Sequence, residues 1–445
     1  MLKAKVALVA VASHFESGGE RAEGMIKEAQ QALGKSGLSV EVASKTVWDP
    51  ADALEVIDQF QKSDPDLLII IHASWVQDSL QYLFVNKLKI PLILWAVPYT
   101  ETFSIGCVQH FGSILWDNGI SYKFVYGLPD EQEVIAEVKR HAAIAKIYKD
   151  LAKANIALIG PRQTWRVAGP QDMTVEEWDL SMRVGATIVH IEMDELLQLA
   201  EVQKKEDAVR FLKGLREKKK LGESKVEEDR LIYASKVYLG VRQLLERYRL
   251  DAAAAECYPQ YGGVANLPSS WLADEGIVLD TEGDIGHTLL AMAMSWMSDG
   301  PVALGEVGSM DTKENCLCLA HEGSSAQSLA QEVMNVRILP GGEKGTLVGF
   351  PFRAMPEVTV ANICGRAGCY RIFMGLVESL PISEQEWVSG GSKFMAKLRF
   401  GADARTVMEK MLEQGADHHL LLARGNLLSD LGTLCDLLKM EKQWV

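Results

Sequence analysis

Apolar positions in the first 150 residues fall into short blocks separated by amphipathic stretches. Residues 6–11, 40–43, 67–71 and 91–96 are largely apolar runs of strand length and read as buried parallel strands. Between them, residues 20–33, 51–61 and 78–85 carry apolar side chains at helical spacing. Strand and helix in alternation predict an open, doubly wound parallel sheet. Ligands of such sheets gather beyond the carboxyl ends of the strands, where this chain has Ser13, His14, His72, Ser74 and residues 98–101.

The same rhythm resumes near Ala154. Residues 156–159, 186–191, 252–257 and 277–280 read as strands, and residues 194–249 as a long helical stretch. The charged run 204–230 is a solvated helical face with a turn at 221–224. Residues 285–297 are apolar all round, as a buried helix is, and Ser298-Asp299-Gly300-Pro301 ends it. After Pro301 the pattern changes to short alternating strands at 346–353, 357–364, 369–379 and 394–400, followed by a helix at 404–415. The expected fold class is therefore α/β: two doubly wound α/β domains, at 1–152 and 153–298, then a β-rich, barrel-like domain at 299–445.

Composition narrows the partners. The chain has 445 residues, enough for two or three domains with their own cores, and 48% of them are hydrophobic. A net charge of −14 argues against nucleic acid or an anionic membrane as a main partner. The start resembles a signal peptide in its charged and apolar parts, but the apolar run ends at Ser13-His14-Phe15-Glu16 and reads as a first strand. No apolar stretch approaches the roughly 20 residues that span a bilayer. Seven cysteines without paired spacing suit a reducing cytoplasm, and Cys316, Cys318, Cys364 and Cys369 read as thiols rather than metal ligands. Phosphate-loop, dinucleotide-binding, His-Glu-x-x-His and nucleophile-elbow motifs are missing from the sequence.

Four residues carry the candidate chemistry. Glu282, Glu306, His321 and His418 each sit at the end of a short apolar run. Carboxylate and imidazole donors without thiolate suit Mn, Mg or Co, and they leave positions for substrate oxygens. A cation holding two adjacent sugar oxygens stabilises the charge left when a carbon-bound proton departs, with paired carboxylates as acid and base. Taken singly, each residue has a bland reading as a capping, surface or core group; the set gains weight from co-occurrence. In an extended segment the neighbours His418 and His419 face opposite sides, so at most one points inward.

The ordered pattern Thr281-Glu282-Gly283-Asp284, Gly305-Glu306, Ala320-His321-Glu322-Gly323 and Gly415-Ala416-Asp417-His418 resembles the L-fucose isomerase and L-arabinose isomerase superfamily, on its fucose isomerase-like side. Ala157 to Pro161, Glu256-Cys257-Tyr258-Pro259 and Leu272 to Gly276 extend the resemblance over most of the chain. It departs at Glu306, where fucose isomerases often have Asp, and at Gln260. The resemblance implies a divalent cation, Mn²⁺ first, held by Glu282, Glu306, His418 and His321. It also implies that Glu282 and Glu306 move a proton in aldose–ketose interconversion through an enediol, in a cytoplasmic homo-oligomer whose neighbouring subunits help complete the site. His287, Arg366 and Arg371 are candidates for orienting the sugar. Arg162 and Arg166, flanking Trp165, would suit an anionic one. A non-catalytic sugar sensor and a cation-dependent sugar epimerase or dehydratase are the alternative readings.

Overall fold

The computed structural model describes residues 3–160, 177–218, 220–257, 261–323, 325–332 and 335–445. The chain forms two compact units, Met1–Asp150 and Leu151–Val445.

In the first unit five parallel strands lie in the order Ser39–Val42, Lys5–Val11, Leu67–His72, Leu92–Ala96, Lys123–Tyr126. Because side chains alternate across a strand, Val6, Leu8 and Ala10 face one core, and Ala7, Val9 and Val11 the other. Helices Ala22–Lys35 and Gln132–Leu151 cover the first face; Pro50–Ser63, Asp78–Leu88 and Ser104–Asp117 cover the second. This is the doubly wound sheet expected. The strand Lys123–Tyr126 escaped the sequence reading because two of its four residues, Phe124 and Tyr126, are exposed at the sheet edge, and no long apolar run marks it.

Two histidines, His72 and His141, are buried in this unit, and burial lowers the pKa of both. His141 is buried, and that burial, with Arg140 and Lys123 nearby, pulls its pKa down to about 4. A histidine held neutral in the fold stabilises it above the unfolded value of about 6.5 and loses that contribution as pH falls toward 4. Between those limits the first unit is expected to lose roughly 3 kcal/mol. Urea titrations at pH 7 and pH 4.5 check this, and His141→Phe should reduce the difference, the buried His72 supplying a contribution of the same sign.

The second unit is built in layers. A four-stranded parallel sheet runs Leu279–Asp280, Ala252–Ala255, Asn155–Ile159, Thr187–Ile191. A second sheet runs Met355–Arg366, His419–Arg424, Ala303–Asp311, Cys316–His321, Phe394–Arg399, Cys369–Leu380. Pairing of Met355–Arg366 with Cys369–Leu380 closes these six antiparallel strands into a ring, and Glu441–Trp444 adds to Cys369–Leu380 in parallel. A closed ring has no unpaired edges apart from its strand ends. The α/β layers and the barrel-like sheet match the fold class read from the sequence. The boundary expected at 298/299 falls inside this unit, where a single apolar core runs from Ala157 to Leu422.

The expected helical stretch 194–249 is three helices, Met193–Val202, Lys205–Glu217 and Glu228–Tyr248. Glu223–Ser224, at the expected turn, instead pairs in parallel with Arg337–Gly341. Ile285–Ser298 is the buried helix anticipated: residues 285–294 are all buried, and it packs against Ala252–Ala255 on one side and Met355–Arg366 and His419–Arg424 on the other. Its amino terminus thus sits where the parallel layer meets the barrel. Among the described residues, no helix is long and apolar enough to cross a membrane.

Candidate metal centre and active site

The loop from Leu279–Asp280 into the helix Ile285–Ser298 presents the first carboxylate. Asp280 Oδ1 accepts the backbone N–H groups of Glu282 and Asp284 at 2.9 and 2.8 Å, which folds the loop tightly. Gly283 sits at φ +77°, and a Cβ there would lie 2.9 Å from Glu256 Oε2, so the turn requires glycine. Asp284 then caps the helix by accepting the His287 N–H at 2.9 Å.

The barrel presents the rest. Glu306, on Ala303–Asp311, stands directly opposite His419 on one neighbouring strand and Ala320 on the other. His321 ends the strand Cys316–His321. Donor atoms of Glu282, Glu306, His321 and His419 lie within 4.8 Å of one another. His321 Nε2 is 3.4 Å from Glu282 Oε1 and 3.7 Å from Glu306 Oε1; His419 Nε2 is 3.5 Å from Glu282 Oε2 and 3.7 Å from Glu306 Oε1.

These separations exceed the roughly 2.7–2.9 Å of a charge-assisted hydrogen bond. They suit atoms that each lie about 2.0–2.2 Å from one shared cation. The Nε2 atoms of His321 and His419 are buried and have no hydrogen-bonding partner among the described residues. Converging carboxylates and solvent-shielded nitrogens fit a divalent ion. Such a site leaves two or more positions for substrate oxygens.

Where the sequence pointed to His418, the structure brings His419 to the cluster. His418 precedes the strand, is about half exposed, and has its Nδ1 2.7 Å from Asp417 Oδ1. His419 is fully buried as the first residue of His419–Arg424. A shift of one residue along a strand turns a side chain to the opposite face, so the choice rests on pairing register. The Glu306–His419 pair supplies that register, and a single sequence does not contain it.

Beneath the cluster is a polar network the sequence reading did not assign. Asp284 Oδ2 accepts from His419 Nδ1 at 2.9 Å and from His287 Nδ1 at 2.6 Å. His287 Nε2 faces the Ile363 N–H at 3.4 Å and Asn362 Nδ2 at 3.3 Å. Asn362 Nδ2 also donates to the carbonyls of His419 and Asp417, holding the segment that carries the histidine. His287, expected to orient a substrate, is 2% exposed with both nitrogens engaged inside the protein.

Charge in this network is unevenly held. Burial works to raise the Asp284 carboxyl, but the His287 and His419 imidazoles overcome it and hold the group well below the carboxylate range. Burial, followed by the charge of Asp284, pushes Asp280 up to about 6. Burial disfavours charge on His419, yet Asp284, Glu282 and Glu306 outweigh it and keep the ring well above its ordinary value. His419, then burial acting in opposition, and His321 set the Glu306 carboxyl, whose net displacement is downward. The three carboxylates around His419 thus favour a protonated ring there.

The remaining expected residues lie elsewhere. Arg371 donates to the Gln414 and Gly415 carbonyls at 3.1 and 2.7 Å, latching the segment before His418. Arg366 is exposed at the turn between the paired strands Met355–Arg366 and Cys369–Leu380. Arg162 and Arg166 lie outside the described residues. A cavity of about 260 Å³ opens beside Glu282, lined by Thr281, Cys257, Asn266, Glu322 and the glycine pairs 262–263 and 341–342.

No family model matches the chain. It is 23% identical over 394 residues to the sulfoquinovose isomerase of Alkalicoccus urumqiensis, covering 85% of this chain and 86% of that one. Against the sulfoquinovose isomerase of Priestia megaterium (strain ATCC 12872 / QMB1551) it is 20% identical over 425 residues, 92% of each chain. The corresponding enzyme of Clostridium sp. (strain MSTE9) gives 21% over 395 residues, 85% and 86%. Among solved structures, a periplasmic solute binding protein from Actinobacillus succinogenes 130z with bound D-allose covers 67% of this chain and 93% of its own at 12% identity. Its TM-score of 0.19 carries no argument about fold or function. The likeness to several isomerases over most of both chains makes this chain an enzyme, an isomerase of the intramolecular oxidoreductase class.

Proposed function

We propose that the chain is a cation-dependent aldose–ketose isomerase that acts on an anionic monosaccharide through an enediol. The observation that carries the reading is the meeting of Glu282, from the loop after the parallel sheet, and Glu306, from the barrel, around the same two imidazoles. The relatives' names support the anionic sugar. Glu282 is mostly buried and Glu306 is 40% exposed, so the two carboxylates approach a substrate from the enclosed and the open side. One takes the proton from the carbon beside the carbonyl, and the other returns a proton at the neighbouring carbon or oxygen. A bound divalent ion, which Glu282, Glu306, His321 and His419 would hold with Mn²⁺ as the first candidate, would supply electrostatic stabilisation of the developing oxyanion.

The 260 Å³ cavity is near the lower end of small-molecule pockets, about 300–1,000 Å³, which favours a single sugar unit over an oligosaccharide. Arg162 and Arg166 are our candidates for pairing with the substrate's anion. We place the enzyme in the cytoplasm, a reading supported by seven free cysteines. We expect a homo-oligomer, as the resemblance to the fucose and arabinose isomerases implies.

The test is isotope uptake. Protein stripped of metal, reloaded with Mn²⁺ and incubated in D₂O should place deuterium in sulfoquinovose, read by mass spectrometry, and much less in neutral aldoses. No uptake into any sugar, with Mn²⁺ bound and the fold intact, would overturn the isomerase reading. Uptake with inversion and no ketose would shift it to an epimerase.

A further inference from the structure

The cavity beside Glu282 is bordered largely by bare backbone, since five of its twelve lining residues are glycines: Gly262, Gly263, Gly323, Gly341 and Gly342. Part of that border is a meeting of two main chains. The strands Arg337–Gly341 and Gly345–Gly349 pair as a hairpin whose turn, residues 342–344, packs on the loop carrying Gly262 and Gly263. A Cβ at Gly345 would lie 2.1 Å from the Gly262 carbonyl oxygen, and one at Gly263 2.5 Å from that of Thr346. Gly263 and Gly342 also adopt φ +71° and +55°. Close approach and backbone angle both require glycine here. The Thr346 N–H donates to the Gly263 carbonyl at 3.1 Å and completes the seam.

Arg230 holds this turn from the other side. Its Nη1 donates to the carbonyls of Gly342 and Gly345 at 3.2 and 2.9 Å, spanning the turn. Among the described residues these are its only side-chain bonds. Arg230 is the third residue of the helix Glu228–Tyr248, after Glu228 and Asp229. A first helical turn favours such acids and disfavours a cation, so bonds to carbonyls of another element account for a guanidinium placed there. Lys344, at the tip of the turn, lies 5.2 Å from the centre of the Tyr233 ring and 3.6 Å from Glu201 Oε1, but it is 60% exposed and adds little.

We propose that Arg230 is a positioning residue for the sugar: by tying the turn to the helix Glu228–Tyr248, it fixes the backbone wall that holds a monosaccharide beside Glu282. The inference rests on the reading of this cavity as the substrate's. Arg230 touches neither the carboxylates nor the imidazoles of the centre, so its effect falls on how tightly the sugar is held and leaves the proton transfer alone.

Arg230→Met keeps the apolar stem and removes the donors. It should raise KM for sulfoquinovose by about 10-fold and leave kcat within about three-fold of wild type, the pattern of lost ground-state binding. Arg230→Lys, which keeps a charged donor, should recover part of that KM. Amide hydrogen exchange reads the turn without turnover: residues 341–346 should exchange about 10-fold faster in Arg230→Met, while Ala303–Asp311 keeps its wild-type rate. Unchanged exchange at the turn, or a KM that stays at the wild-type value while exchange quickens, would overturn the proposal. If wild-type protein turns over no sugar, the functional reading fails instead, and the exchange rates still decide whether Arg230 fixes the turn.

Discussion

Glu306→Gln and Glu282→Gln should each cut turnover by roughly 10²- to 10⁴-fold, the range for removing a general acid or base from a proton transfer. Glutamine keeps the length and shape of the side chain while removing the charge and the capacity to take up and release a proton. The two substitutions should separate in their side effects. Glu306 is 40% exposed at the mouth, so its replacement should leave thermal stability nearly unchanged. Both carboxylates face the same two imidazoles, so either replacement should also weaken Mn²⁺ retention, and Glu282, 10% exposed, should in addition lose stability. Single-turnover assays at saturating Mn²⁺, with calorimetry on the same samples, distinguish lost chemistry from lost metal. Turnover within a few-fold of wild type in either variant would remove that carboxylate from the proton path.

The second large effect concerns two adjacent histidines. His419→Gln should lower Mn²⁺ affinity by about 100-fold, near 3 kcal/mol, and activity at limiting metal with it. His418→Gln should leave both within about two-fold, because its ring is half exposed and turned to Asp417. Isothermal titration on the two variants tests the assignment. A reversed ranking would mean that the strand His419–Arg424 pairs one residue out of the register with Ala303–Asp311 described above.

That pair also shows how far the sequence reaches. Strands such as Leu67–His72 and Leu92–Ala96 were legible because burial on both faces leaves an unbroken aliphatic run. Glu282 and Glu306 were legible because each follows a short apolar run and precedes a glycine-rich turn or bulge. The choice between His418 and His419 was not, since the residues after them, Leu420, Leu421 and Leu422, are apolar on both faces and give alternation nothing to grip. Nor was the part played by Asp284. Its place in the loop motif was plain, but its acceptance of two imidazole N–H groups depends on His419, which comes from a distant part of the chain. Asn362 reads in sequence as one polar residue in an apolar strand, and only its bonds to the 417–419 segment reveal its purpose.

The order in which the ring is stitched has a kinetic consequence. The pairing of Met355–Arg366 with Cys369–Leu380 is a local hairpin that closes a short loop, so it can form early. The pairing of Ala303–Asp311 with His419–Arg424 must instead bring together segments far apart in the chain, and such contacts form late because their loop-closure entropy is paid first. Glu306 and His419 face each other only across that late seam. An interaction that appears after the folding barrier stabilises the native state without speeding its formation, so an ion held at this seam would act as a brake on unfolding and would contribute lifetime to the folded enzyme.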